Sequence, residues 1–205
     1  MPWTVVIPLK PPGVGKTRLG GDAALALAIA LDTVEAASRA YQVGWLIVVT
    51  ADGTLAGEVQ SLYRHGEVII EAEPAGIAAA IASGLALIPS DSKRAVLLGD
   101  LPGLVPEDLD VALNVAADVD RGFVRDAEGT GTTLVTARGG IPFEEHFGPG
   151  SAGAHRAAGF DELAVPIRSS LRYDVDDAAQ LASLALRGLG PRTHAHLQAD
   201  GSGAP

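Results

Sequence analysis

The sequence has no cysteine among its 205 residues, which excludes disulfides, thiolate metal sites and a cysteine nucleophile. Aromatic residues are also few, with two Trp, three Tyr and four Phe, so the core must consist mostly of Ala, Val, Leu and Ile. The chain has 15 Lys and Arg residues but 25 Asp and Glu residues, which gives a formal net charge of −10. Such an acidic chain is a poor partner for nucleic acid or an anionic membrane surface, and we expect neither.

Targeting and membrane-spanning segments are lacking as well. The longest charge-free stretch, residues 74–90, is broken by proline, glycine and serine, whereas a membrane span needs about 20 apolar residues. Met1 is followed almost directly by an apolar segment, without the basic region of a signal peptide. These features predict a soluble, cytoplasmic protein.

Short β-branched runs alternate with longer segments rich in alanine and leucine. Strand, loop and helix follow one another four times, which is typical of an α/β fold with a Rossmann-like, mostly parallel sheet and helices on both faces. Asp22 is expected to cap the first helix, and Asp176 or Asp177 the last. No linker divides residues 1–190, so we expect one domain followed by a disordered tail at 191–205. Strands are predicted at 3–9, 43–50, 68–71, 94–98, 122–125, 132–137 and 163–167, and helices at 22–40, 55–64, 77–87, 106–117, 152–158 and 177–186.

A basic loop follows the first predicted strand. Gly15-Lys16-Thr17 resembles the end of a P-loop, but the first glycine of that motif would fall at Lys10, so the match fails at a defining position. Lys10, Lys16 and Arg18 nevertheless place three of 15 basic residues within nine positions. In an acidic chain this local surplus favours a bound anion such as phosphate. The alternative is a solvated basic loop.

Carboxylates follow the fourth predicted strand and precede the last predicted helix. Asp100 comes directly after an apolar strand, at the sheet edge where ligands bind in parallel sheets. A carboxylate there is suited to hold Mg²⁺ beside a phosphate, although it is equally suited to an Asx turn or a helix cap. In extended backbone Asp174 and Asp176 point the same way, so either could complete a metal site with Asp100.

Two glycine-rich segments, residues 129–133 and 147–151, pair small hydroxyl residues with flexible backbone. Main-chain N–H groups in such segments can approach an anion closely. His155 lies four residues after Ser151, so both share one helix face. His155 is interpreted either as a site residue or as a packing residue.

The same residues, taken in order, resemble a known enzyme family. The ordered motifs are Pro-Leu-Lys at 8–10, Lys-Thr-Arg-Leu at 16–19, Gly-Asp-Leu-Pro at 99–102, Gly-Thr-Gly-Thr at 129–132, Phe-Gly-Pro-x-Ser-x-x-x-His at 147–155 and Asp-Val-Asp at 174–176. This order is similar to that of the CofC/FbiD guanylyltransferases of deazaflavin coenzyme F-420 biosynthesis, whose MobA-like fold is shared with molybdenum-cofactor guanylyltransferases. The resemblance covers about residues 3–190 and implies a fold of the nucleotide-diphospho-sugar transferase type.

The resemblance implies transfer of GMP from GTP to phosphoenolpyruvate or 2-phospho-L-lactate, with release of pyrophosphate, and a possible homodimer. By motif position, Lys16, Arg18 and Asp100 would be catalytic. The other implied roles are Mg²⁺ binding by Asp100 and Asp174, phospho-acid binding by Thr132, Gly148 and Ser151, and GTP phosphate binding by Lys10, Lys16 and Arg18. One departure is Ile77-Ala78, where the family usually has Leu-Asn beside the nucleotide, which leaves the contacts to guanine open.

Two alternatives remain at this level. The same fold could use another acceptor, such as 3-phosphoglycerate, a sugar phosphate or the molybdenum cofactor. A non-catalytic GTP-binding module is the second alternative, and it predicts nucleotide binding without pyrophosphate release. Retention of both Asp100 and Asp174 argues against such a module.

Overall fold

The computed structural model describes residues 2–11, 21–62, 66–70 and 75–201. Within these ranges seven strands form one sheet in the order β3-β2-β1-β4-β6-β5-β7. The strands are β1 (Trp3–Leu9), β2 (Val43–Thr50), β3 (Gly66–Ile70), β4 (Arg94–Leu97), β5 (Arg121–Arg125), β6 (Thr132–Ala137) and β7 (Asp161–Glu162). The helices are α1 (Ala23–Arg39), α2 (Gly53–Leu62), α3 (Ile77–Leu85), α4 (Pro106–Ala116), α5 (Ser151–Ala157), α6 (Ala178–Ala185) and α7 (Pro191–Gly201), and a short 3₁₀ helix spans Ser170–Arg172.

Strand direction places several loops at one edge of the sheet. β1 pairs in parallel with β2 and β4, so their carboxyl ends share an edge. β6 runs antiparallel to both β4 and β5, so the start of β6 and the end of β5 lie at that same edge. The residues that follow β1, β4 and β5, and those that begin β6, therefore converge there.

The central strands are apolar on both faces because helices cover both faces. Val5 and Ile7 pack in a cluster that includes buried residues of α1, α2 and α4. Val6, between them, packs on the opposite side with Ile81 of α3. This arrangement explains why the sequence of β1 is an unbroken apolar run, and it confirms the predicted α/β fold with helices on both faces.

The predicted caps are present. The Asp22 carboxylate accepts hydrogen bonds from the backbone N–H groups of Ala24 and Leu25 at 2.9 and 3.0 Å. Asp177 caps α6 in a capping box with Gln180, so of the two candidates it is Asp177 rather than Asp176 that caps. The predicted strand at 163–167 is wrong, since β7 is Asp161–Glu162. Leu163 still donates its N–H to the Phe123 carbonyl oxygen at 2.9 Å, after which the chain turns away from the sheet.

The predicted disordered tail is also wrong over residues 191–201, which form α7 and pack against α1. The reason lies far away in the sequence, at the buried Asp32 in the middle of α1. Its carboxylate accepts hydrogen bonds from the N–H groups of Arg192 at 3.1 Å and Thr193 at 2.8 Å, which satisfies the first turn of α7. A Cβ atom on Gly190 would lie 2.5 Å from Asp32 Oδ2, so only glycine permits this approach.

No helix in the described ranges is long and apolar enough to cross a membrane. The single-domain prediction and the cytoplasmic prediction stay predictions.

Candidate active site

Asp100 lies at the sheet edge where the loops converge. Asp100 lies three residues after the end of β4. Leu98, in the intervening segment, donates its N–H to the Thr133 carbonyl oxygen at 2.9 Å. Leu101 donates its N–H to the Thr33 hydroxyl of α1 at 3.0 Å. Asp100 is thus held from both sides, by the sheet and by α1, at the edge where ligands bind in parallel sheets.

Asp174 is brought to Asp100 by main-chain bonding. The N–H of Val175 donates to the Asp100 carbonyl oxygen at 3.0 Å. The preceding 3₁₀ helix is anchored to β6, because the Thr133 hydroxyl donates to the Leu171 carbonyl oxygen at 2.7 Å. The structure therefore places the two predicted metal ligands side by side.

The electrostatics of this pair favour a bound cation. Burial, together with the neighbouring carboxylates of Asp100, Asp176 and Asp126, raises the pKa of Asp174 to about 7. A divalent cation between such carboxylates would remove their repulsion, and carboxylate oxygens are the ligands that Mg²⁺ prefers. Within the described residues no group of three or more His, Cys, Asp and Glu side chains gathers as a metal cage. The Asp100 and Asp174 carboxylates fit Mg²⁺, which is usually bound by one or two carboxylates together with waters and substrate phosphates.

The three predicted acceptor residues also converge. Thr132 begins β6, and the backbone N–H of Ala152 in α5 donates to the Thr130 carbonyl oxygen at 3.1 Å. Ser151 donates its N–H to the Gly148 carbonyl oxygen at 3.1 Å, which closes a tight turn before α5. Gly148 and Gly150 have φ of +140° and +74°, values that L side chains rarely adopt. Thr132 and Ser151 are both buried, 3% and 2% exposed.

Asp126 is a site residue that the sequence analysis missed. It follows β5, and its carboxylate accepts hydrogen bonds from the N–H groups of Thr130 at 2.9 Å and Gly131 at 2.6 Å. The buried guanidinium of Arg172 donates to the Asp126 carbonyl oxygen at 3.1 Å. Asp126 thereby shapes the turn that delivers Thr132 and ties it to the segment that carries Asp174. The available signal was an aspartate placed just before a Gly-Thr-Gly turn.

The nucleotide side of the site is described only in part. Lys10 is exposed directly after β1, the neighbour of β4, so it leaves the sheet at the edge that carries Asp100. Lys16 and Arg18 lie outside the described residues. Ala78 is exposed in the first turn of α3, where its methyl group offers no hydrogen bond to a base.

Solved structures share this fold. A proposed nucleotide-diphospho-sugar transferase from Desulfovibrio desulfuricans G20 superposes with a TM-score of 0.66 at 19% identity, covering 98% of this chain and 96% of that one. The CMP:2-keto-3-deoxy-manno-octonic acid synthetase, solved with CTP, gives a TM-score of 0.58 at 15% identity over 91% and 98% of the two chains. The protein thus has the fold of the nucleotide-diphospho-sugar transferases, as predicted.

Sequence relatives define the family. Phosphoenolpyruvate guanylyltransferase of Thermomonospora curvata is 44% identical over 202 residues, which cover 94% of this chain and 87% of the relative. The enzyme of the same name from Streptomyces scabiei is 41% identical over 95% of each chain. The chain matches no protein-family model. It belongs to the phosphoenolpyruvate guanylyltransferase family, which confirms the resemblance and the prediction of a transferase.

Proposed function

We propose that this chain transfers GMP from GTP to the phosphate group of phosphoenolpyruvate and releases pyrophosphate. The observation that carries the proposal is the identity of 37 to 44% with several relatives that bear this activity in their names, over nearly the whole chain. The site supports it, because one sheet edge gathers a carboxylate pair and a separate cluster of buried hydroxyl groups.

The reaction joins two polyanions. An oxygen of the acceptor phosphate attacks the α-phosphorus of GTP, a new P–O bond forms, and the bond to the β-phosphate oxygen breaks so that pyrophosphate leaves. The acceptor phosphate is already ionised at neutral pH, so the step needs no strong general base. Catalysis of such a step consists of positioning and charge neutralisation.

We assign the carboxylate pair, Asp100 and Asp174, to a Mg²⁺ ion. When bound, Mg²⁺ supplies positive charge against the phosphate oxygens of both substrates. The assignment is supported by the main-chain hydrogen bond from Val175 to Asp100, which joins the segments that carry the two aspartates. Asp176 is exposed and contributes negative charge to the same region.

We assign the hydroxyl cluster to the phospho-acid. Thr132 and Ser151 offer hydroxyl donors, and Gly148 lets the backbone approach an anion without a side chain in the way. Lys10 is exposed at the same sheet edge, which supports its proposed role in binding the GTP phosphates. Lys16 and Arg18 retain their predicted roles at the GTP phosphates and in catalysis. A homodimer stays a prediction.

Pyrophosphate release tests the proposal. The protein is given GTP and Mg²⁺ with phosphoenolpyruvate, 2-phospho-L-lactate or 3-phosphoglycerate in parallel, and ATP and CTP replace GTP in further wells. We expect release with GTP and phosphoenolpyruvate, and none after chelation of the metal. Release with 2-phospho-L-lactate or 3-phosphoglycerate alone would move the assignment to that acceptor. GTP binding without release for every acceptor would favour the non-catalytic module.

A further inference from the structure

His155 is fully buried in α5 and both of its ring nitrogens have hydrogen-bond partners. Nδ1 lies 3.1 Å from the Thr132 hydroxyl oxygen. Nε2 lies 3.0 Å from the backbone nitrogen of His146, in the segment that leads to Gly148. One ring therefore joins the start of β6 to the turn before α5, the two pieces of chain assigned to the acceptor.

These partners fix which nitrogen carries the proton. A backbone N–H can only donate, so Nε2 must accept from His146 and has no proton of its own. A neutral imidazole carries one proton, which must then be on the other ring nitrogen. The proton of the neutral ring therefore lies on Nδ1, where it faces the Thr132 hydroxyl.

The surroundings keep the ring neutral. Phe123 stacks on it with centroids 5.6 Å apart, and Phe147 and Phe160 meet it edge-on at 5.7 and 5.2 Å. Burial among these rings lowers the pKa of His155 to about 4 from its ordinary 6.5. At neutral pH the ring is therefore an oriented, uncharged hydrogen-bonding group.

An oriented ring also orients Thr132. Because Nδ1–H points at the Thr132 oxygen, that oxygen accepts there and the hydroxyl's own proton must point elsewhere. We propose that His155 is a positioning residue of the acceptor site, which turns the Thr132 hydroxyl into a donor toward the acceptor phosphate and holds the 146–151 turn against it. This inference rests on the assignment of Thr132 to the phospho-acid under the proposed function.

The proton position is measurable without enzyme activity. Histidine labelled with ¹⁵N in the full-length protein reports, near neutral pH, which ring nitrogen is protonated. We expect a protonated Nδ1 and an unprotonated Nε2 for His155, with the signal identified by its loss in His155→Gln. A protonated Nε2, or a charged ring, would overturn the proposal whatever the reaction is.

Kinetics then separate the two contacts of the ring. In His155→Gln the side-chain oxygen can replace Nε2 as acceptor, but no donor faces Thr132. We expect the KM for phosphoenolpyruvate to rise about tenfold, which is the scale of one lost hydrogen bond. The KM for GTP and kcat should stay within about twofold, because neither involves this contact.

Two further variants serve as comparisons. His155→Asn keeps a donor near the Nδ1 position and should bring the KM for phosphoenolpyruvate most of the way back to the wild-type value. His194→Gln, an exposed histidine of α7, is the matched control.

A double variant shows whether the ring acts through Thr132. If it does, His155→Gln should add less than about twofold to the acceptor KM in a Thr132→Ala background. A full tenfold rise on top of Thr132→Ala, or an equal loss for GTP, would show a merely structural role and overturn the proposal. A wild-type protein inactive with phosphoenolpyruvate would remove the proposed function and with it the acceptor role of His155, whereas a wrong position of the ring proton in an active protein would overturn the proposal on His155 alone.

Discussion

The two halves of the candidate active site use opposite physical means. The carboxylate half brings like charges together, and burial with neighbouring acids raises the pKa of Asp174 to about 7. The hydroxyl half is uncharged, and there burial among aromatic rings lowers the pKa of His155 to about 4. The carboxylates repel one another unless a cation lies between them. The polar groups of the hydroxyl half are hydrogen-bonded to one another and offer oriented donors to an anion. Under the proposed function, this contrast would let one sheet edge hold a metal ion and a phosphate side by side.

The largest expected effect is on the carboxylate half. Asp100→Asn or Asp174→Asn should lower the rate of pyrophosphate release about 100-fold or more, since either change removes charge that holds the cation against the reacting phosphates. Asp174→Asn should not lower the thermal midpoint, because the native protein holds this carboxylate against repulsion. Asp176→Asn is the matched control, an exposed aspartate of the same cluster, and should retain most of the activity. Rates near wild type for Asp100→Asn and Asp174→Asn would refute the metal assignment.

A buried carboxylate outside the candidate site sharpens the comparison, because Asp32 has hydrogen-bond donors around it where Asp174 has acids. Asp32→Ala removes the acceptor of two N–H groups in α7 and an ion pair with Arg192 at 3.6 Å. We expect a loss of about 3 kcal/mol in the free energy of unfolding, the scale for breaking a buried charged network. Urea unfolding measures it, and loss of α7 should appear in backbone amide exchange. Asp120→Ala, whose ion pair with Arg138 is exposed, should change stability by less than about 1 kcal/mol. A similar small change for Asp32→Ala would contradict the capping role.

Ser151→Ala probes the hydroxyl half. Its expected effect is a rise in the acceptor KM of about tenfold, because one uncharged donor to the phosphate is lost, with little change for GTP. The measurement is pyrophosphate release at varied phosphoenolpyruvate. Ser61→Ala removes an exposed helix hydroxyl of α2 and is the control. An unchanged acceptor KM would place Ser151 away from the acceptor.

Some of this arrangement could be predicted from the sequence alone. Parallel strands buried on both faces leave unbroken apolar runs, so β1, β2 and β4 were predictable, and with them the position of Asp100 at the ligand edge. Asp126 left a local signal that was missed, because it bonds N–H groups only four and five residues ahead in its own turn. The role of Asp32 was not predictable, because it bonds backbone N–H groups that only the fold brings to it. Asp32 lies 160 residues from Arg192 in the sequence. No local pattern shows that a helix has its cap in another helix.

The smallest expected effect is the contribution of His155 to the pH dependence of stability. Its pKa is about 4 in the folded protein against an ordinary 6.5, so the unfolded chain takes up this proton first as the pH falls. The stabilisation is complete above about pH 6.5 and is lost progressively toward pH 4, which amounts to about 1 kcal/mol between pH 7.5 and 5.5. Asp174 acts in the opposite direction, because its raised pKa makes the folded protein bind the extra proton, and stability from it declines as the pH rises toward 7. The change of the wild-type unfolding free energy with pH therefore contains the contributions of both His155 and Asp174.

Urea unfolding of the wild type and of His155→Gln at each pH separates the two. The difference between their unfolding free energies leaves the contribution of His155, since Asp174 is common to both. A difference that does not change with pH would show that His155 is not buried as a neutral base, and would remove the contrast between the two halves.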